Sequence, residues 1–355
     1  MTTDTRLTDS VGALSRENYR DVALYNAPRD YVALDLSDNT NLWGAPPAAL
    51  RAIAASTETA VSRYPVAYEP ALAGAVARYV AVSADMIACG CGSDDVLDST
   101  IRAFAQPGEV LCLPDPSFSM IPVFARTNGM IPVAIPLTAS LDIDVDTMVE
   151  TGARITYLCT PNNPTGSALP RDAIEEIVDR APGLVIIDQA YVEFGGDEFT
   201  GLARARSNVI VTRTMSKAFG LAGLRVGYGV GAPELVAEVL KARGPYKVSS
   251  IAERAATATL ATDREWVTGH INDVVAIRAR LRTELKMRGF SPFESAANFI
   301  LVPIDDCLAV AARLESVGVR VRALPKLTGI GDAIRVAIGP LEMMQRFLDA
   351  LEEVA

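Results

Sequence analysis

Apolar and polar positions along the chain fall into two alternating patterns. Short runs rich in Val, Ile and Leu stand at Met86–Gly90, Val110–Pro114, Ile131–Ile135, Ile155–Thr160, Leu184–Asp188, Val209–Thr212 and Arg225–Val230. Most are too short for helices and are apolar at consecutive positions, the pattern of strands buried on both faces. Stretches with helical spacing lie between several of them, at 94–105, 117–127 and 170–180. This alternation predicts an α/β sheet with helices on both sides. The pattern changes after about residue 245. A helical stretch covers 249–288, with a break near Thr262-Asp263. Then come a strand at Asn298–Pro303, a helix near 306–317, strands near 319–324 and 333–338, and a closing helix from 340. This tail reads as a smaller α+β domain. Residues 1–33 read as an arm that packs on something else.

Composition narrows the function classes. The chain has 355 residues, half of them hydrophobic, enough for one large domain or two ordinary ones. A formal charge of -10 argues against nucleic acid or an anionic membrane as the main partner. Residues 1–30 are polar and charged, so no signal peptide is expected, and no apolar run reaches the roughly 18 residues of a membrane span. A cytoplasmic location is expected. The cysteines, at 89, 91, 112, 159 and 307, are odd in number and mostly sit in apolar runs; they read as free thiols of a reduced compartment. The single histidine, His270, lies in a polar helical stretch and reads as a surface residue. A zinc site is not expected, and Ser-His-Asp or Cys-His chemistry would rest on that one residue.

Four segments carry candidate chemistry. Thr214-Met-Ser-Lys217-Ala-Phe-Gly-Leu-Ala-Gly-Leu-Arg225 places a lysine after a strand, in a small-residue loop, eight residues before an arginine. Imine formation needs an unprotonated amine, which burial near positive charge favours. Thr214, Ser216 and Arg225 have the donors to ligate a phosphate. Taken alone, the Ser-Lys pair also suits a solvated loop. Cys159-Thr-Pro-Asn-Asn163-Pro-Thr-Gly166 ends an apolar strand, and by itself is ordinary turn chemistry. Val185-Ile-Ile-Asp188-Gln-Ala-Tyr191 sets an aspartate at the C-terminal end of another strand, where ligands collect in α/β sheets; a helix-capping aspartate is the plain alternative. Cys89-Gly-Cys-Gly92-Ser93-Asp94-Asp95 is a glycine-rich strand-to-helix turn able to cradle phosphate, or simply a turn with Ser93 as N-cap.

Taken together and in this order, the four segments resemble the fold-type-I, pyridoxal-5'-phosphate (PLP) dependent aminotransferases of class I/II, in the branch with the histidinol-phosphate aminotransferases. The likeness runs from about residue 34 to the C-terminus. It implies a large domain (41–248) built on a mostly parallel seven-stranded sheet between helices. It also implies a smaller α+β domain (249–355) and an N-terminal arm (1–40) packing on that smaller domain. By the same resemblance Lys217 would carry the cofactor as a Schiff base, Asp188 would pair with its ring nitrogen, and Asn163 and Tyr191 would hold its phenolic oxygen. Phe118 would stack on the ring. Ser93, Asp94, Thr214, Ser216 and Arg225 would surround the phosphate, with Tyr64 reaching it from a neighbouring subunit. Shared sites imply a homodimer. Arg335, Arg322, Asn41 and Tyr246 would bind substrate, and no metal is implied.

The substrate end departs from the family pattern. Where the family has Asn-Glu-Asn-Pro-aromatic-Gly, this chain reads Asn39-Thr40-Asn41-Leu42-Trp43-Gly44. Leu34-Asp-Leu-Ser-Asp-Asn39 is closer to the threonine-phosphate decarboxylases, and the usual Pro-Tyr-Asn is Pro245-Tyr246-Lys247. The resemblance therefore leads to ping-pong transamination of histidinol phosphate with 2-oxoglutarate. An aromatic amino acid donor, a PLP lyase of the decarboxylase type and a catalytically dead binding protein stand as alternatives.

Overall fold

The apolar runs pair edge to edge. A computed structural model describes residues 14–20, 22–24 and 30–354. After a short β1 (Leu34–Asp35) come β2 (Ile87–Cys91), β3 (Val110–Asp115), β4 (Ile131–Pro136), β5 (Ile155–Cys159), β6 (Leu184–Asp188), β7 (Val209–Thr214) and β8 (Val226–Gly231). Strands β2 to β8 form one seven-stranded sheet in the order β2-β8-β7-β6-β5-β3-β4. Only β8 runs antiparallel to its neighbours β2 and β7; the other pairs are parallel. The expected α/β architecture is therefore present.

The central strands β5, β6 and β7 are buried at every position, which is why they show no polar alternation. The period of two survives in where their side chains go. Val185 and Ile187 of β6 enter one apolar cluster, with Ile174, Ile177 and Leu260, while Ile186 enters the other, with Val96, Leu97 and Val239.

The second half forms two further sheets. Strands β9 (Phe299–Pro303), β10 (Val319–Arg320), β11 (Arg322–Leu327) and β12 (Gly331–Ala337) follow the long helices. Antiparallel β11-β12-β9 make one sheet, and β10 pairs in parallel with β1. The single strand expected at 319–324 is thus two. Val319–Arg320 bond to Leu34–Asp35, and from Arg322 the chain changes partner to β12. Of the N-terminal arm, residues 1–13, 21 and 25–29 lie outside the described residues. Within the rest, β1 joins β10, and the Asn18 amide donates to the carbonyls of Arg126 (2.6 Å) and Thr127 (3.1 Å).

Other expectations shift for local reasons. The helix expected over 117–127 occupies only Ile121–Thr127, because Pro122 is tolerated in a first turn and not further inside. The break in the long helical stretch is real. Helices Ser250–Thr262 and Arg264–Met287 meet at Asp263, whose carboxylate accepts from the Ala48 backbone N–H at 2.6 Å. Arg225 is not the first residue of its strand: its φ of 52° is left-handed, and β8 starts at Val226. His270 is not a plain surface residue. Its ring packs against both tryptophans of the chain, 5.5 Å from Trp43 and 4.4 Å from Trp266 between centroids. Among the described residues no helix is long and apolar enough to cross a membrane. Four cysteines are buried, Cys91 is exposed, and all five are free thiols.

Candidate active site

Parallel strands bring their C-terminal ends to one edge of the sheet, and the loops leaving those ends carry the candidate residues. Asp188 is the last residue of β6 and Thr214 the last of β7; Asn163 follows β5 and Phe118 follows β3. Asp188 is buried, with neutral donors on both oxygens: the Tyr157 phenol at 2.8 Å and the Ala190 N–H at 3.1 Å. Burial pushes its carboxyl up to about 6, the hydrogen bond from Tyr157 opposing. The helix-cap alternative fails, since the short 3-10 turn at Val192–Phe194 starts from Tyr191 and takes no side-chain cap. Tyr157 was not picked out from the sequence. Its signal is a phenol inside an otherwise apolar buried strand, which needs a partner for its hydroxyl.

Lys217 lies in the turn after β7. Thr214 shapes that turn, accepting from the Ser216 N–H (3.1 Å) and donating to the Val226 carbonyl (3.5 Å). The Lys217 ammonium donates to the Asp38 carbonyl at 3.0 Å and lies 5.9 Å from the centre of the Tyr191 ring. Burial first, then the nearby Arg335 guanidinium, lower its pKa from the usual 10.5 to about 8. A substantial neutral fraction near physiological pH is what a nucleophilic amine requires.

The segment 37–41 straps this lysine to Arg335 and Asn298, a role that sequence reasoning did not assign to Ser37, Asp38 or Asn39. The Ser37 carbonyl accepts from Arg335 at 2.7 Å, the Asp38 carbonyl from Lys217, and the Asn39 carbonyl from Asn298 at 2.9 Å. The Asn39 amide donates to the Tyr191 hydroxyl at 3.3 Å, leaving that hydroxyl's own proton free to be donated. Burial pushes the Tyr191 phenol up to about 12, so it stays protonated. Asn41 donates to the Ala218 carbonyl (3.1 Å) and accepts from the Trp43 N–H (3.0 Å), which fixes the strap beside the lysine loop. Arg335 also donates to the Asn163 Oδ1 at 2.5 Å. Arg322 stands directly opposite Arg335 in the antiparallel β11–β12 register, with its Nη2 3.7 Å from the Asp38 carboxylate. Their spacing, thirteen residues over a strand, a loop and a second strand, allowed this pairing, and the register sets it.

The glycine turn after β2 meets Arg225. The left-handed backbone of Arg225 returns its guanidinium toward the start of the helix Gly92–Phe104, where Nη2 donates to Asp94 (3.1 Å) and Nη1 lies 3.4 Å from the Ser216 hydroxyl. A Cβ at Gly92 would strike that guanidinium, and one at Gly227 would strike the Ser93 amide. Ser93 is not the N-cap; that position is Cys91, whose N–H is taken by Asp95 at 3.0 Å. Helix N–H groups, Ser93, Ser216 and Arg225 together form a cradle suited to a phosphate. Lys247 lies 3.7 Å from Asp95, as an ion pair beside this turn. Phe118 is half-buried against the apolar cluster under helix Gly92–Phe104. Tyr64 and Tyr246 lie on the surface, stacked with centroids 5.1 Å apart.

Comparison with known proteins identifies the family of this chain. The family model for aminotransferase class I and II covers residues 31–351. The chain belongs to the class I and II aminotransferases. A histidinol-phosphate aminotransferase of Roseiflexus castenholzii is 37% identical over 335 residues, 91% of this chain and 90% of the relative. An aromatic amino acid aminotransferase of Rhodococcus jostii is 36% identical over 315 residues, 86% of each chain. Among solved structures, the histidinol-phosphate aminotransferase from Sinorhizobium meliloti in complex with pyridoxal-5'-phosphate superposes on this aminotransferase with a TM-score of 0.84. It is 25% identical, covering 94% of this chain and 95% of that one.

Proposed function

We propose that this aminotransferase moves the amino group of histidinol phosphate to 2-oxoglutarate by a ping-pong sequence, with pyridoxal phosphate as cofactor, in a cytoplasmic homodimer. The donor set fits that cofactor. The raised pKa of Asp188 marks a carboxylate that gains from a cation, and a protonated ring nitrogen is one. The cradle of Ser93, Asp94, Ser216 and Arg225, shaped by Thr214 and completed by Tyr64 of the partner subunit, would take the cofactor phosphate. Asn163 and Tyr191 would hold the ring oxygen, and Phe118 would cover one ring face. When bound, the cofactor supplies an electron sink for the pair left as the substrate's α-hydrogen departs as a proton. Lys217 would bind the cofactor and then carry that proton, its amine held near neutrality by burial and Arg335.

The observation that carries the substrate reading is the cross-strand pairing of Arg322 with Arg335. Two guanidinium groups on neighbouring strands suit a phosphate dianion, which can accept from two forks. Asn41 and Tyr246 would complete the substrate end. The second reading, an aromatic amino acid as donor, is favoured by one contact: Arg322 already faces the Asp38 carboxylate. Kinetics separate the two. Arg322→Ala and Arg335→Ala should each cost about 2–4 kcal/mol in kcat/KM for histidinol phosphate, the scale for stripping a partner from a buried charge pair. With phenylalanine, Arg322→Ala should cost less than about 1 kcal/mol. Equal, small effects of Arg322→Ala on both donors, with phenylalanine the faster in wild type, would reject the phosphate reading.

A further inference from the structure

Asp38 touches both halves of the site. Its carbonyl holds the Lys217 ammonium at 3.0 Å, and its carboxylate stands 3.7 Å from Arg322. Arg322 has the carboxylate of Asp38 beside it, and Arg335 donates to the Asn163 amide oxygen and the Ser37 carbonyl. Asp38 and Arg322 are about a quarter exposed (23% and 26% of side-chain surface), so water screens the pair and an incoming anion can replace it. We propose that Asp38 is a specificity-determining residue: its carboxylate is a resident counter-ion for Arg322, displaced by a phosphate dianion and left in place by a donor with a single carboxylate, which Arg335 alone can hold.

Two consequences follow from charge alone. With a donor that carries one carboxylate, held by Arg335, the Asp38–Arg322 pair stays closed. With a phosphorylated donor the dianion must compete with Asp38 for the guanidinium, and it also feels the repulsion of the displaced carboxylate. The resident carboxylate thus narrows the difference between the two donor classes, and its removal should widen it. This inference rests on the reading that the far end of the donor lies against Arg322 and Arg335.

The test is Asp38→Asn in the holoenzyme, a change that preserves size and the backbone carbonyl that holds Lys217. KM for histidinol phosphate should fall about threefold to fivefold, the upper end for a partly exposed ion pair. KM for phenylalanine should stay within about twofold. Calorimetric titration with inorganic phosphate should show tightening by a similar factor, and this gain should vanish in Asp38→Asn/Arg322→Ala measured against Arg322→Ala alone. The visible absorbance of the holoenzyme should also titrate at lower pH, because a negative charge near the Lys217 nitrogen is gone. If wild type does not turn over histidinol phosphate, the substrate reading fails, and phosphate calorimetry alone decides the role of Asp38. If wild type turns it over while Asp38→Asn changes neither KM nor phosphate affinity, the Asp38 inference is overturned and the substrate reading stands.

Discussion

Asp188, proposed above to serve the cofactor, shows how such a residue opposes stability. A buried carboxylate whose folded pKa is raised from 3.8 to about 6 is destabilising when ionised. The folded state binds the proton more tightly than the unfolded chain, so the stability Asp188 contributes at low pH is lost as pH rises through about 6. Two pKa units correspond to roughly 3 kcal/mol. Asparagine would recover part of this, because it gives up one of the acceptors now used by Tyr157 and Ala190. Asp188→Asn should therefore raise the stability of the cofactor-free protein by about 1–2 kcal/mol near pH 8, with the gain fading toward about pH 4. The same variant should lose at least about 10²-fold in kcat, as for removal of a major electrostatic contributor. Urea unfolding at the two pH values, with steady-state rates beside it, checks both. A variant within about threefold of wild-type rate would overturn the assignment. The motif Asp-x-x-Tyr could be read from the sequence, whereas the pairing of Tyr157 with Asp188 could not, because the contact crosses from β5 to β6.

At the scale of elements, buried ion pairs join segments that the chain keeps apart. Glu69, in a left-handed backbone at the start of helix Pro70–Val80, meets Arg243, the last residue of helix Pro233–Arg243, at 2.8 Å with both side chains fully buried. This contact ties the segment after Tyr64 and Tyr68 to the one leading to Tyr246. Removing one partner leaves a buried charge alone. Arg243→Met should cost about 3–5 kcal/mol, and Glu69→Gln/Arg243→Met should regain most of it. Burial already holds the Glu69 pKa above the usual carboxylate value, against the pull of Arg243. Without Arg243 it should rise further, so the folded variant would take up a proton that the unfolded chain releases, and its deficit should be smaller near pH 5 than near pH 8. Thermal or urea melts at both pH values measure this. A deficit independent of pH would mean that Glu69 is not the charge left exposed to burial.

On the whole-molecule scale, the proposed dimer rests on an exposed aromatic pair, Tyr64 stacked on Tyr246. Tyr64 is 85% exposed and Tyr246 47%, and Val61, Val66 and Tyr68 are exposed nearby in sequence. Exposed aromatic and aliphatic side chains grouped in this way mark interaction surfaces more than ordinary solvent contact. The proposed homodimer uses this face to send Tyr64 into the neighbouring site. Two variants, each crippled alone, should then complement. In a mixed dimer of Tyr64→Phe and Lys217→Ala chains, one site regains both a lysine and a tyrosine, and activity should approach half that of wild type. Sedimentation showing a fully active monomer would exclude the arrangement. The strand-and-helix order, the break near Asp263, the lysine loop and the strand-end aspartate were all legible in the sequence, because each is a local matter of periodicity, turn chemistry or residue type. Register and approach were not. Residues 319–324 proved to serve two sheets, His270 came to rest against two tryptophans, and the strap of 37–41 reached Lys217 from about 180 positions away in the chain. Strand pairing and burial made those contacts. They depend on which distant segments lie side by side, and only the packed chain specifies that.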